Sequence, residues 1–407
     1  MGTAFFPLDN EWELPAVALL PHAYQTLVRL ASCMPFAQAA ETLCAILGVR
    51  VSAATVRRQC EQVGSASLQV QQEQAQPLAS CPEEPPGERM VMSSDGAYVP
   101  LVKGEWGEVK LLAIGQAQCQ SPTRPAAGEL PEVRTTQVSY FARLADAPTF
   151  GEQASAEIRR RGIERAKAVC AVQDGADWLQ GFVHSHRQDA VRILDFAHAA
   201  GYISEIGEAV RSSGGHLPRR WLEGVLHRLK HAGPERVLRH LSRISQRCTD
   251  PEVAKKLRYL QARREQMEYP TYRQAGWPIG SGMVESGNKL VMQARLKGAG
   301  MHWRREQVNP MLALRMAVCN RRWEENWRDQ WRRLSTARQQ QRWQHQQQRF
   351  QKGKQAFHAS VASAPAPQAP ALVQLAKPKG GRTEAQYRWG RQTFSPRMLR
   401  QGSNAKK

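Results

Sequence analysis

The chain has 407 residues, 42% hydrophobic and 23% charged, which is globular composition and more than one ordinary hydrophobic core holds, so two or three domains are expected. No uninterrupted apolar run approaches the ~20 residues of a membrane-spanning helix, and Met1 to Glu13 carries acidic residues without a basic cluster and apolar stretch, so a cytoplasmic protein with no membrane partner is expected. The net charge of +21 is polarised: residues 286–407 hold 25 Lys and Arg against 5 Asp and Glu, which points to a polyanion partner, nucleic acid above all, with a merely solvated basic tail as the alternative.

Apolar residues recur at helical spacing from 22 to 64, through Leu27, Leu30 and Ala31, then Ala39, Ala40, Leu43, Cys44 and Leu47, then Val56 and Cys60. Gly48 ends one helix and Ser52 can cap the next. Helices over Gln38 to Leu47 and Ala53 to Val63 then have the layout of a helix-turn-helix whose second helix turns Arg57, Arg58 and Gln59 toward solvent; an ordinary helical hairpin has the same pattern. Residues 1–72 are therefore read as an N-terminal helical domain. Residues 73–88, rich in Gln, Pro and Glu, read as a linker.

After the linker the period changes. Met90 to Ser94 and Val99 to Val102 predict strands around Asp95-Gly96, followed by strands over Val109 to Gly115 and Thr136 to Ala142. Glu152 to Arg161 predicts a helix, Ala168 to Gln173 a buried strand, Ala176 to His184 a helix and Ala190 to Leu194 another buried strand. This order suits an α/β fold with a mixed sheet flanked by helices, its first part at 89–201. Residues 202–277 carry helical stripes and no strand signal, with Pro218, Pro234 and Pro251 marking helix starts and Asp250 a cap, so they read as an all-α insertion. The sheet domain resumes at 278–335. There Trp323, Trp327 and Trp331 share one helical face, as a packing seam or a base-stacking platform. The basic tail, 336–407, is expected to be largely disordered, above all from Gly353 onward. Eight scattered cysteines form no C-x-x-C pair, so reduced and mostly buried thiols are expected.

Three acids stand out against this background. Asp95 closes an apolar strand and precedes Gly96, which leaves room for a close approach; Asp174 follows the next buried strand; Glu285 sits at the first turn of the helix after the insertion. Each has a plain alternative, a turn for the Asp-Gly pairs and a macrodipole partner for Glu285. Together they suit two divalent ions, Mg²⁺ or Mn²⁺, that activate a water or a 3′-hydroxyl beside a phosphodiester. Gly280 and Gly282 lack the spacing of a dinucleotide fingerprint. Downstream of Glu285, Lys289, Arg295, Lys297, Arg304 and Arg305 are candidate phosphate contacts, with Arg57 and Arg58 from the N-terminal helices. Asp195 and His198 form a separate pair at a helix start, readable as an N-cap and a satisfied imidazole.

At these residues the chain resembles a bacterial insertion-sequence transposase of the DDE type, of the IS Kra-type group and its relatives near the Mutator-like transposases. The resemblance covers roughly residues 1 to 335, and its most specific stretch is PIGSGMVESGNKLVMQARLKGAGMHW, from Pro278 to Trp303, continuing to Leu312-Ala313-Leu314-Arg315 and Arg322-Trp323. It implies an RNase H-like catalytic domain with Asp95, Asp174 and Glu285 as the metal-binding catalytic acids. Asp195 and His198 match an acidic residue, two others and His after the second Asp, with Ala197 departing from the expected aromatic. His198 is then expected to contact substrate near the scissile phosphate. The implied activity is metal-dependent cleavage of transposon ends and transfer of the freed 3′-hydroxyl to target DNA, by a nucleoid-associated homodimer or larger assembly acting on double-stranded DNA. Two alternatives stay open: an RNase H-like nuclease or resolvase that cuts without joining, and a non-catalytic DNA-binding protein derived from a transposase.

Overall fold

The computed structural model describes residues 19–76, 84–85, 87–120, 132–246, 248 and 250–362. Three helices come first: α1 (Pro21–Cys33), α2 (Phe36–Leu47) and α3 (Ala53–Ala75). Gly48 ends α2 in the left-handed region, at φ +67°, where a side chain is strained. Ser52 caps α3, its hydroxyl accepting from the Thr55 amide at 3.1 Å. α3 continues twelve residues past the expected Val63, because Ala66, Ser67 and Val70 keep one face buried through an otherwise Gln-rich segment.

The remainder up to β5 builds a mixed, open, five-stranded sheet in the order β3-β2-β1-β4-β5. Its strands are β1 (Arg89–Pro100), β2 (Trp106–Gln120), β3 (Glu132–Leu144), β4 (Ala168–Gln173) and β5 (Val191–Leu194). β1, β2 and β3 pair antiparallel, whereas β4 joins β1, and β5 joins β4, in parallel. The two helices that make the parallel crossovers possible are α4 (Ala147–Arg160), capped by Asp146, and α5 (Asp177–His186). β4 spans the limits expected from its apolar run. β1 does not break at Asp95-Gly96: Asp95 faces Leu111 and Gly96 faces Lys110 in unbroken register, so continuous pairing with β2 overrides the turn dipeptide.

Alternation along the strands divides the interior into two cores. Met90, Met92, Val169 and Ala171 point into the first, with α1–α5 and the later helix α13. Val91, Cys170 and Val172 point into the second, which holds α6 (Phe196–Ser212), α7 (Trp221–Ala232), α8 (Pro234–Ser245) and α9 (Pro251–Ala262). α8 and α9 begin at the expected prolines, and Asp250 caps α9 by accepting from the Glu252 amide; Pro218 instead precedes α7 by a turn. The short α10 (Tyr269–Gln274) leads through Trp277 to α11 (Gly282–Gly287), a π-helical stretch (Asn288–Gln293) and α12 (Ala294–Leu296).

α13 (Arg305–Cys319) runs through the first core and against α3 so closely that a methyl group on Gly64 would stand 2.8 Å from the Pro310 carbonyl oxygen. The N-terminal helices therefore share their core with the sheet. α14 (Trp323–Ala362) starts with the tryptophan stripe, which packs: Trp323 and Trp327 are buried, their rings are stacked 6.0 Å apart, and Tyr24 of α1 lies 5.9 Å from Trp327. One compact unit extends to Trp343 and a second begins at Gln344. Residues 336–362, part of the tail expected to be largely disordered, are helical, and residues 73–75 of the expected linker belong to α3; residues 363–407 of the tail and 77–83 and 86 of the linker fall outside the described residues. The expectation of mostly buried thiols is corrected too: of the seven free cysteines described, Cys60 and Cys170 are buried, whereas Cys33 and Cys119 are exposed. No described helix is long and apolar enough to cross a membrane.

Candidate functional site

β4 pairs with β1 only over Met92↔Ala171 and the residues before it, so β1 runs on past the end of its parallel neighbour. Asp95 lies on this overhang and Asp174 directly after β4, which puts both on the side of the sheet where the parallel strands end. Asp95 is thus at a strand end relative to β4, though inside its own strand. One of its oxygens accepts from the Gly96 amide at 2.7 Å, the other from Nδ2 of Asn288 at 2.6 Å. A Cβ at Gly96 would meet the Glu108 carboxylate at 2.4 Å, so a side chain there would displace that flexible group. Glu108 itself is neutralised by Lys110 at 2.7 Å.

Asp174 is held from the helical segment. Its side chain accepts from the Ala176 amide at 2.9 Å, and its backbone carbonyl accepts from the Tyr259 hydroxyl of α9. The next residue, Gly175, adopts φ +81° and gives its carbonyl to the Arg263 guanidinium, at 2.9 Å from Nε and 2.6 Å from Nη2. A Cβ on Gly175 would lie 2.5 Å from the Tyr259 oxygen and 2.7 Å from Arg263 Nε, so only glycine fits this lock. Arg263 also lies over the Tyr259 ring, 3.8 Å from its centroid, and burial pushes the Tyr259 phenol up, keeping it a donor. Neither residue was singled out from sequence, where each looks like an ordinary member of an amphipathic helix.

Glu285 is exposed in the first turn of α11. The turn before it is tied to the sheet by Asp195, which is 6% exposed and uses one oxygen to cap α6, accepting from the His198 amide at 3.0 Å, and the other to accept from the Ser281 amide at 2.9 Å. The Phe196 amide donates to the Ile279 carbonyl beside it. Asp195 thus acts as the helix cap the sequence allowed, and additionally as the clasp that brings the Glu285 segment to the end of β5. His198 is half-buried and packs edge-on against Tyr202, ring centroids 5.1 Å apart, and near Tyr259, so it adjoins the Asp174 lock through an aromatic cluster.

The three acids share one electrostatic neighbourhood. Burial raises the Asp95 carboxyl above the ordinary carboxylate range; its Gly96 and Asn288 donors oppose this, and the charges of Asp174 and Glu285 add to it. Among the described residues no group of three or more His, Cys, Asp or Glu side chains is placed so that it could hold a metal ion. The donor set that is present, oxygen only and mutually repelling, fits a hard divalent cation better than a soft one. Next to the Glu285 turn opens a cleft of about 690 Å³ lined by Lys230, Arg273, Trp277, Gly280 and Ser286 among others.

Of the candidate phosphate contacts, Arg57, Arg58, Lys289, Lys297, Arg304 and Arg305 are exposed. Arg57 lies 3.9 Å from Glu61 and Arg305 3.8 Å from Glu105, both loose surface pairs. Arg295 is a correction. It is 2% exposed, donates from Nε to the Ala31 carbonyl at 2.9 Å and is sandwiched by Phe36 and Trp303, its centroid distances 4.8 and 5.0 Å; it joins the N-terminal helices to α12 and is withdrawn from the phosphate-facing surface. Burial lowers its pKa to about 10, still charged at neutral pH.

No protein-family model matches the chain, and no curated protein matches it.

Proposed function

We propose that the chain is a DNA strand transferase of the DDE type, with an RNase H-like catalytic domain, that cuts transposon ends and joins the freed 3′-hydroxyl to target DNA. The observation that carries this reading is one of placement: Asp95 lies on the overhang of β1, Asp174 directly after the neighbouring β4, and Glu285 on a helix whose next turn holds Asp95 through Asn288 Nδ2 at 2.6 Å. The sheet order and its antiparallel-then-parallel pairing agree with the expected domain, and so does the all-helical segment between β5 and α11. The strongly basic C-terminal third supplies the attraction to a polyanion.

Asp95, Asp174 and Glu285 would hold Mg²⁺ or Mn²⁺, which when bound lowers the pKa of the attacking hydroxyl and stabilises the leaving oxygen. The chain's own groups do the rest. The Tyr259–Arg263 lock orients Asp174, the Asp195 clasp orients Glu285, and His198, which neighbours Tyr259 in the aromatic cluster, would contact substrate near the scissile phosphate. Arg57 and Arg58 on the exposed side of α3 suit a helix-turn-helix reader of terminal inverted repeats, and Lys289, Lys297, Arg304 and Arg305 suit phosphate contacts. Acting on two ends at once calls for at least a homodimer, working at the nucleoid.

The test is cleavage of duplexes carrying the sequences that flank the coding region. Wild type is expected to cut them only with Mg²⁺ or Mn²⁺, and Asp174→Asn to lose cleavage by a factor of at least ~10³ while retaining salt-sensitive DNA binding. Undiminished cleavage by Asp174→Asn would overturn the assignment. Pre-cut ends separate a transferase from a nuclease or resolvase, which leaves them unjoined. A binding-only descendant of such an enzyme predicts salt-sensitive binding without cleavage in any metal.

A further inference from the structure

Asn288 stands three residues after Glu285, on the same side of the helix, where the backbone changes from α to π winding. It is 8% exposed. Its Nδ2 donates to Asp95 at 2.6 Å, and its Oδ1 is buried with no hydrogen-bond partner among the described residues. An amide oxygen stripped of water and left without a donor is costly, and here it belongs to the same carboxamide that touches a buried carboxylate. Turning the amide over does not relieve it, because two oxygens would then face each other and the NH₂ group would be the one left unpaired. A hard cation relieves both at once, since such ions take carboxylate and Asn carbonyl oxygens together.

We infer that Asn288 belongs to the cation site: its Nδ2 fixes the Asp95 carboxylate, and its Oδ1 is a neutral oxygen ligand for the Mg²⁺ or Mn²⁺ shared by Asp95, Asp174 and Glu285. The inference rests on the proposed metal-dependent chemistry for the identity of the ion.

The experiment is a Mn²⁺ titration, followed by electron paramagnetic resonance, of the full chain as wild type, Asn288→Ala and Asn288→Asp, each checked for cooperative thermal unfolding. Asn288→Ala is expected to weaken Mn²⁺ binding about tenfold or more. Asn288→Asp is expected to bind within a few-fold of wild type, since a carboxylate oxygen replaces the amide oxygen although the donor to Asp95 is lost. Wild-type affinity in Asn288→Ala overturns the inference, as does no binding by wild type. So does a folded Asn288→Asp as weak as the alanine variant, which would leave Asn288 only a hydrogen-bond donor. Cleavage assays on the same samples separate the two levels. Asn288-dependent Mn²⁺ binding without DNA cleavage sinks strand transfer alone, and cleavage by a wild type whose Asn288→Ala variant binds Mn²⁺ normally sinks the Asn288 assignment alone.

Discussion

His186 lies edge-on against Phe182 at the last turn of α5, ring centroids 4.8 Å apart, and burial lowers its pKa, against the opposing effects of the Gly151 carbonyl and the Glu164 charge. The folded state therefore binds the proton less tightly than the unfolded chain. Its contribution is fully present above the ordinary imidazole value near 6.5 and is lost as pH falls from there through the lowered value. Thermal unfolding is expected to shift to lower temperature between about pH 7 and pH 5 in wild type, and less steeply in His186→Gln. Parallel slopes for the two proteins would remove His186 from the acid response. Asp95 and Asp174 were recognisable from sequence because an acid at the end of an apolar run is a local pattern, and Glu285 because a helix start is one too. Asn288, Tyr259 and Arg263 were not, because their importance lies in contacts 193, 85 and 88 residues away.

Among elements, the contact between α3 and α13 is sensitive to volume because backbone, not a movable side chain, faces the glycine. In an open helical position, Gly→Ala gains about 0.8–1.0 kcal/mol of helix propensity. At Gly64 the added methyl would press on the Pro310 backbone at 2.8 Å, which cannot swing aside, and overpacking of that kind costs about 1–3 kcal/mol. Gly64→Ala should thus lower the unfolding temperature, whereas Gly224→Ala in α7, with nothing within 4 Å, should raise it. A stabilising Gly64→Ala would mean that the two helices are not in close backbone contact. Sequence pattern located β4, the α2–α3 turn and the starts of α8 and α9, since short apolar runs, Gly48, Ser52, Pro234 and Pro251 are local signals. It split β1 at Asp95-Gly96 and cut α3 short at Val63, because strand pairing and a buried seam of small residues are contributed by partners distant in the chain.

For the molecule as a whole, charge and packing are divided between its two units. Residues 344–407 hold twelve Lys and Arg against one Glu, whereas both hydrophobic cores lie within the unit ending at Trp343. A chain ending at Trp343 is expected to keep the unfolding temperature of the full protein within a few degrees while binding duplex DNA more weakly, with a shallower dependence of log affinity on log salt. An unchanged salt slope would show that the tail makes no phosphate contacts. Composition and periodicity by themselves determined the positive charge of the C-terminal third and the α/β order, and picked out the three acids as candidates, because these are sums or short-range patterns along the covalent chain. Only the tertiary structure decided that the N-terminal helices share the sheet's core, that Arg295 is a buried tie rather than a surface charge, and that Asp195 clasps the Glu285 segment. In each case the partners are distant in sequence, and burial is a property of the assembled neighbours that no single segment carries.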